Sequence, residues 1–291
     1  MNYNDLIKRL TKLDKKYSVK IIGKTKFNRK IFAVEKRINN SFSTAIFLAG
    51  IHAREFISSD VLLKMIEENL FDEIKDFNLS FICMANPDGI DLERGEIKVF
   101  SKFQQRKLLK INNGSKDFSL WKANARGVDL NNNFDARFYE VVHKTKPSCQ
   151  GYPGKKPMSE RETKAIARYT KSVNPFITIS YHTKGEEIYY NFFQSGERLR
   201  RDQIIAKGFE KSTGYKIVNV ETLSAGGYKD WCVEKLKIPA LTIELGSDDL
   251  LHPITTENLN EIFDRNKTIA SDLEFAYNVY RNFKERTENE L

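Results

Sequence analysis

Four short, almost wholly apolar segments constrain the fold more than anything else in the chain: TAIFLAG (44–50), LSFICMA (79–85), PFITISYH (175–182) and PALTIELG (239–246). A strand with one face in water alternates apolar and polar side chains, whereas several of these runs are apolar at successive positions. Such strands belong inside a sheet that is covered on both faces. Between the runs the apolar spacing turns helical. Leu6, Ile7, Leu10 and Leu13 mark a first amphipathic helix over 5–14, and Val61, Leu62, Met65, Ile66 and Leu70 mark another over 57–70. The pattern predicts an α/β protein with a mixed central β-sheet flanked by helices on both faces, as a single domain over 1–291.

The remaining punctuation fills in that outline. VKIIG (19–23) and KIFAVE (30–35) read as further strands. Asn86-Pro87-Asp88-Gly89 reads as a turn closing the strand before it. Residues 92–158, rich in Lys, Asn, Gly and Pro, read mostly as loop with a few short elements. Ser159 followed by Glu162 reads as a capping box opening a helix that runs to Val173. Helices are expected over 197–212 and 228–236, and one long terminal helix over 256–285.

Composition excludes several classes. No run of about 18 apolar residues occurs, so no membrane-spanning helix is expected. Cys83, Cys149 and Cys232 are widely spaced and form no C-x-x-C pair, which argues against a disulfide framework or a cysteine zinc site. The opening residues lack an apolar stretch of signal-peptide length, which makes the cytoplasm the expected compartment. The net charge of +9 is spread among Asp and Glu with no nucleic-acid motif, so it reads as a lysine-rich solvated surface, with attraction of an anionic ligand as the alternative.

In an α/β sheet, sites form beyond the carboxyl ends of the strands. The chain has four histidines, and two of them, His52 and His182, fall at such ends. Gly50-Ile51-His52-Ala53-Arg54-Glu55 places an imidazole and a carboxylate three residues apart at a strand-to-helix turn, and zinc accepts both. His143 and His252 follow no buried strand and read as surface residues. Glu244, inside an apolar strand, is costly to bury unless it has a partner or a task, such as proton transfer with a raised pKa.

GIHAREF, NPDGID, RGVDLNNNF, the Ser159-Glu160-Arg161 helix start, ISYH and TIELG occur in that order. Together they resemble the zinc carboxypeptidase family, which includes pancreatic carboxypeptidases and bacterial cell-wall peptide amidases. WKANARGVDLN (121–131) is closer to the bacterial branch that cleaves γ-D-glutamyl–diamino acid bonds. The resemblance implies one zinc per chain, held by His52, Glu55 and His182. It implies that Asp129 holds His52 through its second ring nitrogen, which fixes the tautomer. Glu244 is implied as general acid/base. Arg126 is implied as the cation that polarises the scissile carbonyl, with Lys122 as the alternative. Arg54, Asn131 and Asn132 are implied as substrate-binding residues. Where the orthodox enzymes carry an arginine that clamps the terminal carboxylate, this chain has Asn132, and a neutral amide cannot make a bidentate charged bond. The family tyrosine four residues before a Gly-Gly pair is replaced by Thr222, and Tyr228 is not assigned its role. The expected activity is hydrolysis of the amide between γ-D-glutamate and a diamino acid, meso-diaminopimelate above all, in a small anionic peptide. An orthodox carboxypeptidase is the alternative, and an inactive peptide- or glycan-binding relative a third reading. Oligomeric state is left open.

Overall fold

The computed structural model of the chain describes residues 1–38, 41–218 and 225–289. In chain order the elements begin with α1 (Tyr3–Leu10), β1 (Tyr17–Lys24), β2 (Lys30–Lys36), β3 (Thr44–Leu48), α2 (Ile57–Glu67) and β4 (Asn78–Ile82). α3 (Pro87–Glu93), α4 (Lys102–Ile111), α5 (Arg161–Val173), β5 (Ile177–His182), β6 (Glu187–Tyr189) and α6 (Gly196–Thr213) follow. The last are β7 (Lys216–Ile217), α7 (Tyr228–Trp231), which runs on into a π-helical turn, β8 (Ala240–Glu244), α8 (Leu259–Arg265) and α9 (Ile269–Asn289).

The strands form one mixed sheet in the order β1-β2-β4-β3-β5-β8-β6-β7. The apolar runs make its centre: β4, β3, β5 and β8 are mutually parallel. β1 and β2 add on antiparallel at one side, and β6 pairs antiparallel to β8 at the other. Alternation along each central strand divides its side chains between two cores. Ala45 and Phe47 pack with α2, Ile179, Tyr181, Leu241 and Ile243 on one face. Ile46 and Leu48 pack with Ile166 of α5, Tyr228 and Trp231 on the other. Both faces are therefore buried, as the runs require.

Several local expectations differ from the structure. Asn86-Pro87-Asp88-Gly89 opens α3 instead of forming a free turn: the Asn86 side chain accepts a bond from Gly89 N at 3.0 Å, with Pro87 in the first turn. Turn and helix-start signals share these residues, so the tetrad alone does not separate them. α5 starts later than the Ser159 capping box implies. Its N-cap is Glu160, and Ser159 instead bonds Asn133 and the Glu160 carboxylate. α4 lies within the stretch read as mostly loop with a few short elements; it is polar overall and buries only Leu108. The long terminal helix is broken between α8 and α9, where buried Asn266 bonds Tyr215 Oη and Ile262 O. β6 and β7 are too short to show a two-residue period.

No helix among the described residues is long and apolar enough to cross a membrane. The three cysteines are free thiols.

Candidate metal centre

The parallel strands end on one edge, and the chain continues past each end in a short arm. Ala49 N bonds Ile82 O, and Ala85 N bonds Ala49 O, so the arms beyond β3 and β4 travel together. Gly50 then turns with φ +63°, where a Cβ would stand 2.4 Å from Ser59 Oγ; only glycine fits this bend without displacing α2. Asn86, wholly buried, braces the arm with bonds from its amide to Ile51 O and Ala123 O, both at 3.1 Å. Ala53 N donates to Lys122 O at 3.0 Å, which ties the turn to the 121–124 segment. His52 and Glu55, at the two ends of the resulting 3-10 turn, face inward.

His182, the last residue of β5, completes the group. His52 Nδ1 lies 2.9 Å from Glu55 Oε1, His182 Nδ1 lies 3.1 Å from Glu55 Oε2, and the two Nδ1 atoms are 3.1 Å apart. Thr183 N donates to Glu55 Oε2 at 3.3 Å. All three side chains are buried. Ligand atoms around a tetrahedral zinc at 2.0–2.1 Å stand about 3.3 Å from one another. The observed spacing and the borderline-hard nitrogen and oxygen donors fit such an ion. Burial alone would raise the Glu55 carboxyl, but His52 and His182 outweigh it and hold that group well below its usual range.

Asp129 stands behind His52, with Oδ1 3.2 Å from Nε2. Its other oxygen accepts a bond from Gly151 N at 3.0 Å. Burial opposes ionisation of Asp129, yet the charge of His52 and these bonds push its pKa far down. Glu244 ends β8 directly beside His182 in the parallel register. It is half-buried in the cleft wall, and desolvation, with the Glu55 carboxylate, pushes its pKa up to about 7 against the pull of His182. No other group of three or more potential metal-binding side chains converges in this way among the described residues.

The group opens into a cleft of ≈ 940 Å³. Lys122, Asn131 and Asn132 line it, together with Lys144, Tyr189, Lys229 and Thr242. Asn131 also accepts a bond from Tyr228 N at 3.0 Å. Arg126 does not line the cleft. Its guanidinium pairs with the buried Glu160 carboxylate at 3.1 Å, where Asn124 also binds, so it secures the 124–129 loop that carries Asp129. Of the two candidate cations named from the sequence, Lys122 lines the cleft, beside Lys144 and Lys229, and Arg126 does not. Arg54 is likewise outside the lining and donates to Gln150, which is in it. Tyr228 is wholly buried and bonds Thr170 Oγ1. Thr222 lies outside the described residues. His143 and His252 are half-buried, not surface residues, and neither joins the metal group.

Lys229, Tyr189 and Lys144 escape a reading of the sequence. Each comes from a loop or short element brought to the cleft by the sheet order, and only the Gly226-Gly227 pair just before Lys229 hints at a site.

The model of the family described as zinc carboxypeptidase matches residues 3–267. The chain is 30% identical over 237 residues to γ-D-glutamyl-L-diamino acid endopeptidase 1 of Lysinibacillus sphaericus; the match covers 75% of this chain and 58% of that one. Among solved structures, bovine thrombin-activatable fibrinolysis inhibitor superimposes with a TM-score of 0.75 at 18% identity, covering 97% of this chain and 98% of that one. Murein-tripeptide amidase MpaA of Escherichia coli O157 superimposes with a TM-score of 0.57 at 19% identity, covering 87% and 91%. Sheet, strand-end ligand group and family match agree, and the chain belongs to the zinc carboxypeptidase family of metallopeptidases.

Proposed function

We propose that this zinc peptidase hydrolyses the amide between γ-D-glutamate and a diamino acid, meso-diaminopimelate, in peptidoglycan-derived peptides. The observation that carries the reading is Asn132, which lines the cleft where the orthodox enzymes place a carboxylate-clamping arginine. No arginine lines that cleft among the described residues. The likeness to the Lysinibacillus sphaericus endopeptidase supports the same substrate class.

His52, Glu55 and His182 hold the metal in this proposal, and Asp129 keeps His52 in the tautomer that leaves Nδ1 free to bind. Bound zinc supplies a Lewis acid that acidifies water near neutral pH. Glu244 takes the proton from the attacking water, which its raised pKa suits it to hold at pH 7. Lys122 presents an ammonium to the oxygen on which negative charge develops. As the carbon–nitrogen bond breaks, Glu244 passes its proton to the leaving amine. The products are a γ-carboxylate and a free diamino acid. Asn131 and Asn132 contact the peptide through their amides, and Arg54 acts at the rim through Gln150.

The test is incubation with L-Ala-γ-D-Glu-meso-diaminopimelate and, separately, with blocked dipeptides ending in Phe, Leu, Arg or Lys. Release of diaminopimelate with little action on the dipeptides is expected. The reverse result would favour orthodox removal of C-terminal residues, a reading for which Lys144 and Lys229 in the cleft provide cations.

A further inference from the structure

Lys122 and Asp129 both line the cleft, and they stand on one short loop. The backbone between them belongs to no helix or strand, so no repeating hydrogen-bond pattern sets its path. Its ends are tied down. Lys122 N and Ala123 N both donate to Cys149 O at 2.9 Å, and Asp129 N donates to Tyr152 O at 2.7 Å. Between these ends, one side chain makes most of the bonds that hold the loop.

That side chain is Asn124, which is 1% exposed. Its Oδ1 accepts bonds from Arg126 N at 2.9 Å and Val128 N at 3.1 Å. Its Nδ2 donates to Glu160 Oε2 at 2.9 Å and to Glu162 Oε1 at 3.4 Å. A carboxamide offers two lone pairs and two N–H groups. All four find partners here. The polarity of the amide is therefore fixed: turned over, it would set N–H against two backbone N–H groups and its oxygen against two carboxyl groups. Its backbone closes the same loop. Asn124 N donates to Val128 O at 2.8 Å, while Asn124 O accepts from Gly127 N at 3.0 Å and Trp121 Nε1 at 3.2 Å. A fully satisfied buried network of this kind admits one arrangement of the backbone. It also gives a task to two carboxyl groups that are costly to bury at the start of α5.

We propose that Asn124 is the positioning residue for both Lys122 and Asp129, with Glu160 and Glu162 locking the orientation of its amide. Through the loop, Asn124 aims the Lys122 ammonium at the carbonyl oxygen and holds the Asp129 carboxylate against His52 Nε2. Asn124 itself is outside the cleft lining and touches neither reactant nor metal. The proposal rests on the roles given above to Lys122 and Asp129, and not on the identity of the peptide. Arg126 shares Glu160 but is half-exposed, and the four bonds of the Asn124 amide do not depend on its guanidinium.

The test is a pair of double-mutant cycles on the full chain, run well below each variant's melting temperature. N124L keeps the shape of the side chain and removes both hydrogen-bonding ends. Zinc affinity is read by competition with a chelator, and kcat at saturating zinc on whichever of the peptides named above the wild type cleaves. N124L should weaken zinc binding by about tenfold, the low end for groups behind a metal ligand. It should lower kcat by about tenfold, less than outright loss of an oxyanion donor. The zinc loss should shrink to within about twofold in a D129N background, and the kcat loss likewise in a K122M background. N124D/E160Q exchanges donor and acceptor between the two side chains and should retain most of both properties. Zinc affinity and kcat within twofold of wild type in N124L, with only the melting temperature lowered, would make Asn124 a purely structural residue and overturn the proposal. Losses that persist in full in both backgrounds overturn it too. If N124L does not fold, N124S repeats both cycles. If the wild type cleaves none of the peptides, the substrate reading fails separately, and the zinc cycle still tests the hold of Asn124 on Asp129.

Discussion

Glu244 and Glu55 show how one cleft sets two carboxylates to opposite tasks. Both are withdrawn from water, but Glu55 lies between two imidazoles while Glu244 adds its charge beside one already present. The first stays ionised and suits a metal; the second holds a proton near neutrality and suits its transfer. Glu244→Gln is therefore expected to keep zinc, measured by elemental analysis, while kcat falls by about 10²–10⁴-fold. The two candidate cations separate in the same way. Lys122→Met should lower kcat by about 10²–10³-fold if, as proposed, its charge faces the developing oxyanion. Arg126→Met should leave kcat close to wild type and lower thermal stability by about 1 kcal/mol, as expected for a half-exposed ion pair. A steady-state comparison of the two variants decides between them. At this scale the sequence is informative about His52, Glu55, His182 and Glu244, because strand ends and residue chemistry point to them together. It is ambiguous about Arg126 and Lys122, since only the fold decides which of two cations on one loop turns inward.

The start of α5 buries three acidic groups near one another. Glu162 is 1% exposed, and Glu160 and Asp88 act on it through space. Desolvation pushes Glu162 up to about 8, with a bond from Asn124 as its partial offset. The sign follows from linkage. In the unfolded chain this carboxyl ionises near 4.5, whereas in the folded chain it stays protonated until about pH 8. The unfolded state therefore loses its proton first, and stability falls as pH rises from about 4.5 to 8. Glu162→Gln mimics the protonated form. It should be near-neutral at pH 4 and stabilise the protein by roughly 1–3 kcal/mol at pH 8–9, read by urea unfolding across pH. An unchanged slope of stability with pH would refute this placement. The element scale is also where sequence reading loses detail. α4 is hard to read because a polar surface helix with one buried leucine offers few apolar positions, and β6 because three residues are too few for a period.

On the scale of the whole molecule, the metal group joins three parts of the chain: the arm after β3, the end of β5 and the loop bearing Asp129. A ligand that binds only the folded state stabilises it by mass action, about 4 kcal/mol at a thousandfold excess over its Kd. Chelation should thus lower the melting temperature of the zinc-loaded protein, and readdition of zinc should restore it. In His182→Ala this zinc-dependent shift should vanish along with bound metal; an equal shift in that variant would mean the metal binds elsewhere. The sequence by itself determined the alternation of apolar strands and helices, and so a sheet buried on both faces, because side-chain periodicity is a local property. It also determined the residues at the strand ends and their chemistry. Tertiary structure alone decided which side chains meet in the cleft. Strand order brings β6 beside β8, and with it Tyr189, Asn191 and Lys229 to a site whose metal group begins more than 130 residues earlier. Contacts between residues so distant along the chain leave no period and no spacing to read, since they arise only when the two halves of the sheet pack together.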